Sequence, residues 1–423
     1  MSVTHFKKVF PNGLRLITVP IKNNQTATVM VLVEAGSNYE SKEENGISHF
    51  LEHVCFKGSE KRTLHDITYD LDSIGALSNA FTGNEYTGYY AKANSKHLET
   101  ILDVVSDLYL NPIFPEDEIK KEKGVIIEEI NMYEDQPQKN VWNTLEALMY
   151  GDQPAGRTIL GTKQNIKKVK RSDFVAYHSK HYVASATTVV VAGDVKVETV
   201  ENLVAGAFRN ISTKKPRQKK KVVEQQSKVQ FKVKAKKTDQ AHIAFGFRSF
   251  PLGDERNWAT SVLSTILGRG MSSRLFKKMR DELGICYYVG AGDHPSTDHG
   301  VFTVYAGVGK KRIEEAVFYI VEELRRLKTE QVADRELRKA KDYSSGQRAL
   351  HLEASDQWAE WYGFQEIHRE NILTPQEVDE RIEAVTAEDI QAVAQTLFNE
   401  SNLNVAIVGE VSKSTEIKKL LTL

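Results

Sequence analysis

Cysteine is scarce: Cys55 and Cys286 are the only two in 423 residues. Neither belongs to a CxxC pair and two thiols build no disulfide framework, so a reducing compartment is expected. An excess of charge of either sign is also missing, since Lys plus Arg and Asp plus Glu both number 57. With no overall positive field to attract phosphates, nucleic acid is not an expected partner. No uncharged apolar run reaches the ~18 residues that would suggest a membrane span, so no membrane partner is expected either. The opening MSVTHFKKVFPNGLRLITVP has neither an apolar h-region nor a small-residue cleavage site. A cytoplasmic location is the expectation.

What is present suits a soluble globular chain of two or three domains, with 40% hydrophobic and 27% charged residues. The chain also repeats itself. TATVMVLVEAGSNYE (26–40) and DQAHIAFGFRSFPLGDE (239–255) share an apolar strand leading into a polar turn, with Asn38 on Leu252 at an offset of 214. PEDEIKKEKG (115–124) resembles ADRELRKAKD (333–342) at an offset of 218, and the glycine-closed strands ending at Gly193 and Gly409 differ by 216. Three matches at nearly one offset indicate two similar halves, each the size of a domain. The expected division is residues 1–213, a linker 214–230, and residues 231–423. The linker carries six basic residues between Lys214 and Lys221, with Pro216 among them, and is read as solvated.

Within each half, strands alternate with amphipathic helices such as KHLETILDVVSDLYL (96–110) and RIEEAVFYIVEELRRL (312–327). Hairpin-like strands occur at 76–93 and 285–308. The fold class expected is α+β: two homologous domains, each a mainly antiparallel sheet covered by helices on one face.

The stretch GISHFLEHVCFKG (46–58) places His49 and His53 four residues apart, with Glu52 between them. On a helix, with Ser48 as a cap or first-turn residue, these imidazoles share one face and can converge on one cation. A chance H-x-x-E-H is expected on the order of 0.03 times in such a chain, so the motif needs context. The repeat supplies it. At offset 214, His49, Glu52 and His53 fall on Leu263, Ile266 and Leu267, so the second copy keeps the helix and makes this face apolar. A third ligand is sought among the acids of EIKKEKGVIIEEINMYED (118–135). Glu122 and Glu129 are two turns apart on one face. At offset 218 they fall on Ala340 and Gln347.

HFLEH followed by Glu129, seventy-six residues after His53, resembles the pitrilysin/insulysin family of zinc peptidases, inverzincins that include the mitochondrial processing peptidase. SNAFTGNEYTGYYAKA (78–93) resembles the family's substrate-binding strand, and ILGRGMSSRLFKKMRDELGICYYVGA (266–291) its carboxyl-terminal motif. The likeness spans the whole chain and matches the short two-domain members. It implies one Zn²⁺ per chain on His49, His53 and Glu129, with Glu122 orienting a histidine. Glu52 would take a proton from metal-bound water and pass it to the leaving amine. Arg280 and Tyr287, with Tyr288 beside it, would stabilise the tetrahedral carbonyl from the partner subunit of a homodimer. An extended peptide would add as a strand along Ser78, Asn79, Ala80, Phe81 and Thr82, and Gly268 and Gly270 would let the backbone approach it. The implied activity is that of a metalloendopeptidase acting on unfolded peptides in a dimeric chamber. Two other readings remain open: a non-catalytic assembly subunit, and one half of a heterodimeric peptidase.

Overall fold

The computed structural model describes residues 3–368 and 371–423. Eleven strands among them are β1 Phe6–Val9, β2 Arg15–Pro20, β3 Thr26–Val33, β4 Leu77–Thr82, β5 Thr87–Asn94, β6 Thr187–Gly193, β7 Gln230–Lys234, β8 Gln240–Ser249, β9 Cys286–Pro295, β10 Gly300–Gly309 and β11 Leu403–Val408. The helices of the amino-terminal half are α1 Ile47–Cys55, α2 Leu64–Asp72, α3 Leu98–Leu110, α4 Glu116–Asp135, α5 Pro137–Tyr150, α6 Lys163–Lys168, α7 Arg171–His181 and α8 Val197–Ala207. Those that follow are α9 Arg256–Gly268, α10 Ile313–Thr329, α11 Asp334–His351, α12 Ser355–His368, α13 Pro375–Ala384, α14 Ala387–Leu397 and α15 Ser414–Lys419. No helix among the described residues is long and apolar enough to cross a membrane.

The strands form two sheets, ordered β1-β2-β6-β3-β5-β4 and β7-β11-β8-β10-β9. Apart from β1 the two orders are the same, with β2 matched by β7, β6 by β11 and β3 by β8. The only parallel pairs among the described residues are also equivalent, β2 with β6 and β7 with β11. This is the α+β repeat that the sequence offsets announce.

The chain divides into two compact units, residues 1–130, 158–220 and 350–374 in one, and residues 131–157, 221–349 and 375–423 in the other. The strands follow the contiguous division expected from the sequence; two helices do not. In the first unit, Met30 and Leu32 of β3 pack on Trp358 and Tyr362 of α12, while α3 lies against the same strand. In the second, Ala244, Ala406 and Val408 pack on Leu145 and Met149 of α5. Each sheet is thus covered on both faces, not one, and the second cover comes from the other half of the chain. The cause is visible in the strands. TTVVVAG of β6 is buried at every position, and a strand without polar alternation needs a layer on each side. Gly363 lets α12 approach, since a Cβ there would stand 2.8 Å from Leu32.

Two residues of the basic linker depart from the solvated reading. Arg217 and Lys219 make ion pairs with Glu44 and Glu85, whereas the other four basic residues of the run, Lys214, Lys215, Lys220 and Lys221, are exposed.

Candidate metal centre

Helix α1 carries His49, Glu52 and His53. Its N-cap is Gly46 rather than Ser48, in the left-handed region at φ 101°. Only glycine fits, because a Cβ would meet the carbonyl of Leu160 at 2.8 Å. Ser48 takes the other expected place, in the first turn of the helix, its hydroxyl 2.7 Å from that of Tyr177. The first turn is tied down by Glu40, whose carboxylate accepts the amides of Gly46 and Ser48, both at 2.8 Å, and Nδ2 of Asn45 at 3.0 Å. Glu40 is buried, and burial pushes its carboxyl up to about 7 against the pull of these donors. Sequence reasoning missed Glu40, which no motif marks.

The helix face so fixed meets α4. Nε2 of His49 and Nε2 of His53 stand 3.6 and 3.8 Å from the same oxygen of Glu129. One donor atom from each of the three residues lies within 4.8 Å of the others. These separations are too long for hydrogen bonds. Ligands ~2.0–2.1 Å from a tetrahedral zinc are about 3.3 Å apart, so a cation fits among these three with small adjustments. Burial, then the neighbouring His53, lowers the His49 imidazole to about 3. It is neutral at physiological pH, as a ligand must be. Nδ1 of His49 is buried without a protein partner.

Glu122, two turns before Glu129, reaches the other side of His53. Its Oε2 is 3.1 Å from Nδ1 of His53, and its Oε1 is 2.7 Å from Nζ of Lys57. Burial raises its carboxyl, but the hydrogen bonds from Lys57 and His53 outweigh that and hold it below the usual range. Lys57, one turn after His53, is a second residue that sequence reasoning missed. Glu52 points instead toward the sheet, where the Thr82 hydroxyl donates to its Oε2. Burial raises the Glu52 carboxyl, while Thr82 and His53 draw it down and Glu129 pushes it up.

Among the described residues, strand β4, which ends at Thr82, pairs on one side only, with β5 from Leu77↔Lys92 to Thr82↔Thr87. It is the edge of its sheet. Ser78 and Asn79 are exposed, and Ala80, Phe81 and Thr82 half-buried. Cys55 is buried at the end of α1, with the Tyr89 hydroxyl 3.6 Å from its sulfur, and it is not among the converging donors.

In the second unit, Leu263, Ile266 and Leu267 of α9 are fully buried, as the repeat anticipates. Arg280 lies on a π-helical segment, Phe276–Glu282. Its Nη1 donates to the carbonyl of Cys286 at 2.8 Å, placing it beside the start of β9 and the exposed Tyr287. The next residue faces inward, with the Tyr288 hydroxyl 2.7 Å from Nδ1 of His242. Gly268 serves its own unit, since a Cβ there would stand 2.1 Å from the Ala291 nitrogen of β9. Gly270 faces the Tyr343 ring.

A family model described as "Insulinase (Peptidase family M16)" matches residues 15–163, and one described as "Peptidase M16 inactive domain" matches residues 168–343. The "Uncharacterized zinc protease YmxG" of Bacillus subtilis is 33% identical, over 92% of this chain and 94% of its own. An "Uncharacterized zinc protease" of Rickettsia felis is also 33% identical, over 94% of this chain and 96% of its own. Among solved structures, a protease from Helicobacter pylori superposes with a TM-score of 0.91 at 23% identity, covering 97% of this chain and 100% of the other. That likeness concerns the fold. The chain belongs to peptidase family M16, the pitrilysin/insulysin family, and is of its short two-domain type.

Proposed function

We propose that the protein is a zinc-dependent endopeptidase that cleaves extended, unfolded peptides. One observation carries this reading: two imidazole Nε2 atoms face a single Glu129 oxygen, on the helix whose Glu52 is held by Thr82 of the sheet edge. His49, His53 and Glu129 would hold one zinc ion. Zinc supplies a Lewis acid there and brings the pKa of water to about 7.

The chain's own residues do the rest. A peptide adds as a strand beside Ser78–Thr82, where no strand of the described residues pairs with the outer side of β4, and its carbonyl is brought next to Glu52. Glu52 takes the proton of the attacking water and returns it to the leaving amine. A carboxylate raised by burial is better matched to that exchange near neutral pH. Arg280 and Tyr287 donate to the carbonyl oxygen as it becomes negative. They do so from the partner subunit of a homodimer whose chamber excludes folded proteins.

The test is zinc content together with cleavage of an unstructured fluorogenic peptide. Wild type is expected to carry one zinc per chain and to cleave; Glu52→Gln is expected to keep the zinc and lose at least about a hundredfold in kcat. Full activity in Glu52→Gln would defeat the mechanism.

A further inference from the structure

The basic run of the linker is the one sequence motif that the peptidase reading leaves unused. In the first unit it lies as a strap. Arg217 pairs with Glu44 at 2.7 Å, and its amide donates to the carbonyl of Lys180 at 3.3 Å. Two residues on, the ammonium of Lys219 is shut off from solvent, 2.9 Å from Oε1 of the buried Glu85. A buried ammonium depends on its carboxylate, because losing either partner leaves an uncompensated charge away from water.

Glu85 lies in the turn Gly83–Tyr86 between β4 and β5. That turn is held from a second side. The amides of Ser37 and Asn38, just after β3, donate to the carbonyls of Gly83 and Asn84 at 3.3 and 2.7 Å. The turn begins one residue after Thr82, whose hydroxyl holds Glu52. A chain of contacts therefore runs from the linker, through the turn, to the last residue of the edge strand and the catalytic acid.

We infer that Lys219 is a positioning residue for peptide cleavage: by pinning Glu85 it sets where the edge strand β4 lies against Glu52. The inference rests on the peptidase reading and deepens it. Lys219 touches no reacting atom; its effect is on where the peptide is received. The competing role is stability alone, with the ion pair holding the fold together and the edge strand indifferent to it.

The experiment uses the full-length, zinc-loaded protein and the variants Glu85→Gln, Lys219→Met, their double, and Lys219→Arg, with the exposed Lys220→Met as control. Either single change is expected to raise KM for an unstructured fluorogenic peptide about tenfold, with kcat within about twofold and zinc content unchanged. The double variant is expected to be no worse than either single one, since both remove one interaction. Lys219→Arg restores the charge and most of the affinity. Separately, hydrogen exchange at the amides of residues 77–86 is expected to be faster in Glu85→Gln than in wild type. The isosteric Glu85→Gln and the conservative Lys219→Arg decide the matter if Lys219→Met does not fold. A lowered melting temperature with KM and edge-strand protection unchanged would overturn the inference. Wild type that binds zinc and cleaves nothing would instead sink the peptidase reading, and the exchange measurement would still decide whether Lys219 holds β4.

Discussion

Nδ1 of His53 stands 3.1 Å from Oε2 of Glu122. A histidine that gives its Nδ1 proton to a carboxylate keeps the lone pair of Nε2 free for a metal. Removing the charge with Glu122→Gln is expected to weaken zinc binding about 10- to 100-fold, read by competition with a chromophoric chelator. Unchanged affinity would take Glu122 out of the site's support.

The Thr82 hydroxyl lowers the Glu52 carboxyl that burial raises. Thr82→Val removes the opposing pull, so the carboxyl rises further. The acid limb of the kcat/KM profile, where the base must be ionised, is expected to move to higher pH. A limb that stays in place or moves down would separate Thr82 from the base.

Zinc that binds the folded chain and not the unfolded one stabilises it by mass action. At a free concentration a hundredfold above Kd the gain is about 2.7 kcal/mol. Calorimetric melting is expected to show a zinc-dependent rise for wild type and none for His49→Ala or Glu129→Gln. An equal rise in those variants would place the ion elsewhere.

Glu40 carries a pH prediction for the metal-free protein. Its carboxyl is raised from 4.5 to about 7 by burial, so the folded state holds a proton that the unfolded state has released. Its contribution is fully present below 4.5 and is lost as pH rises through about 7. Urea unfolding of Glu40→Gln is expected to lack this component, so that its stability relative to wild type rises between pH 4.5 and 7. A difference independent of pH across that window would refute the assignment.

Subunit sharing is tested by mixing. Glu52→Gln and Arg280→Ala each disable a different half of the proposed site. Verified mixed dimers are expected to recover one intact site and part of the wild-type rate; no recovery would count against sharing.

The two-copy plan was legible because equivalent strands and helices recur at offsets of 214 to 218, and a repeated element keeps its burial pattern. The converging donors were legible for the opposite reason. His49, Glu52 and His53 break the apolar face that Leu263, Ile266 and Leu267 preserve, and a helix phase ties Glu129 to Glu122. Glu40, Lys57 and Lys219 were not legible. Each acts through a partner that no local period marks, Glu40 on amides at the start of α1, Lys57 on an acid of α4, and Lys219 on a turn 134 residues earlier. The exchange of α5 and α12 was hidden as well, because amphipathic spacing shows that a helix has a buried face and not which sheet receives it.

That exchange has a consequence during synthesis. The last strand of the first sheet ends at Gly193, but Trp358 and Tyr362, which cover Ile17, Met30, Leu32 and Val190, leave the ribosome about 165 residues later. At ~5–20 residues per second the nascent chain holds that bare aliphatic surface for roughly 10 to 30 s. The interval is long enough for chaperones to engage it, and a truncated transcript ending in the linker would yield a protein that never closes.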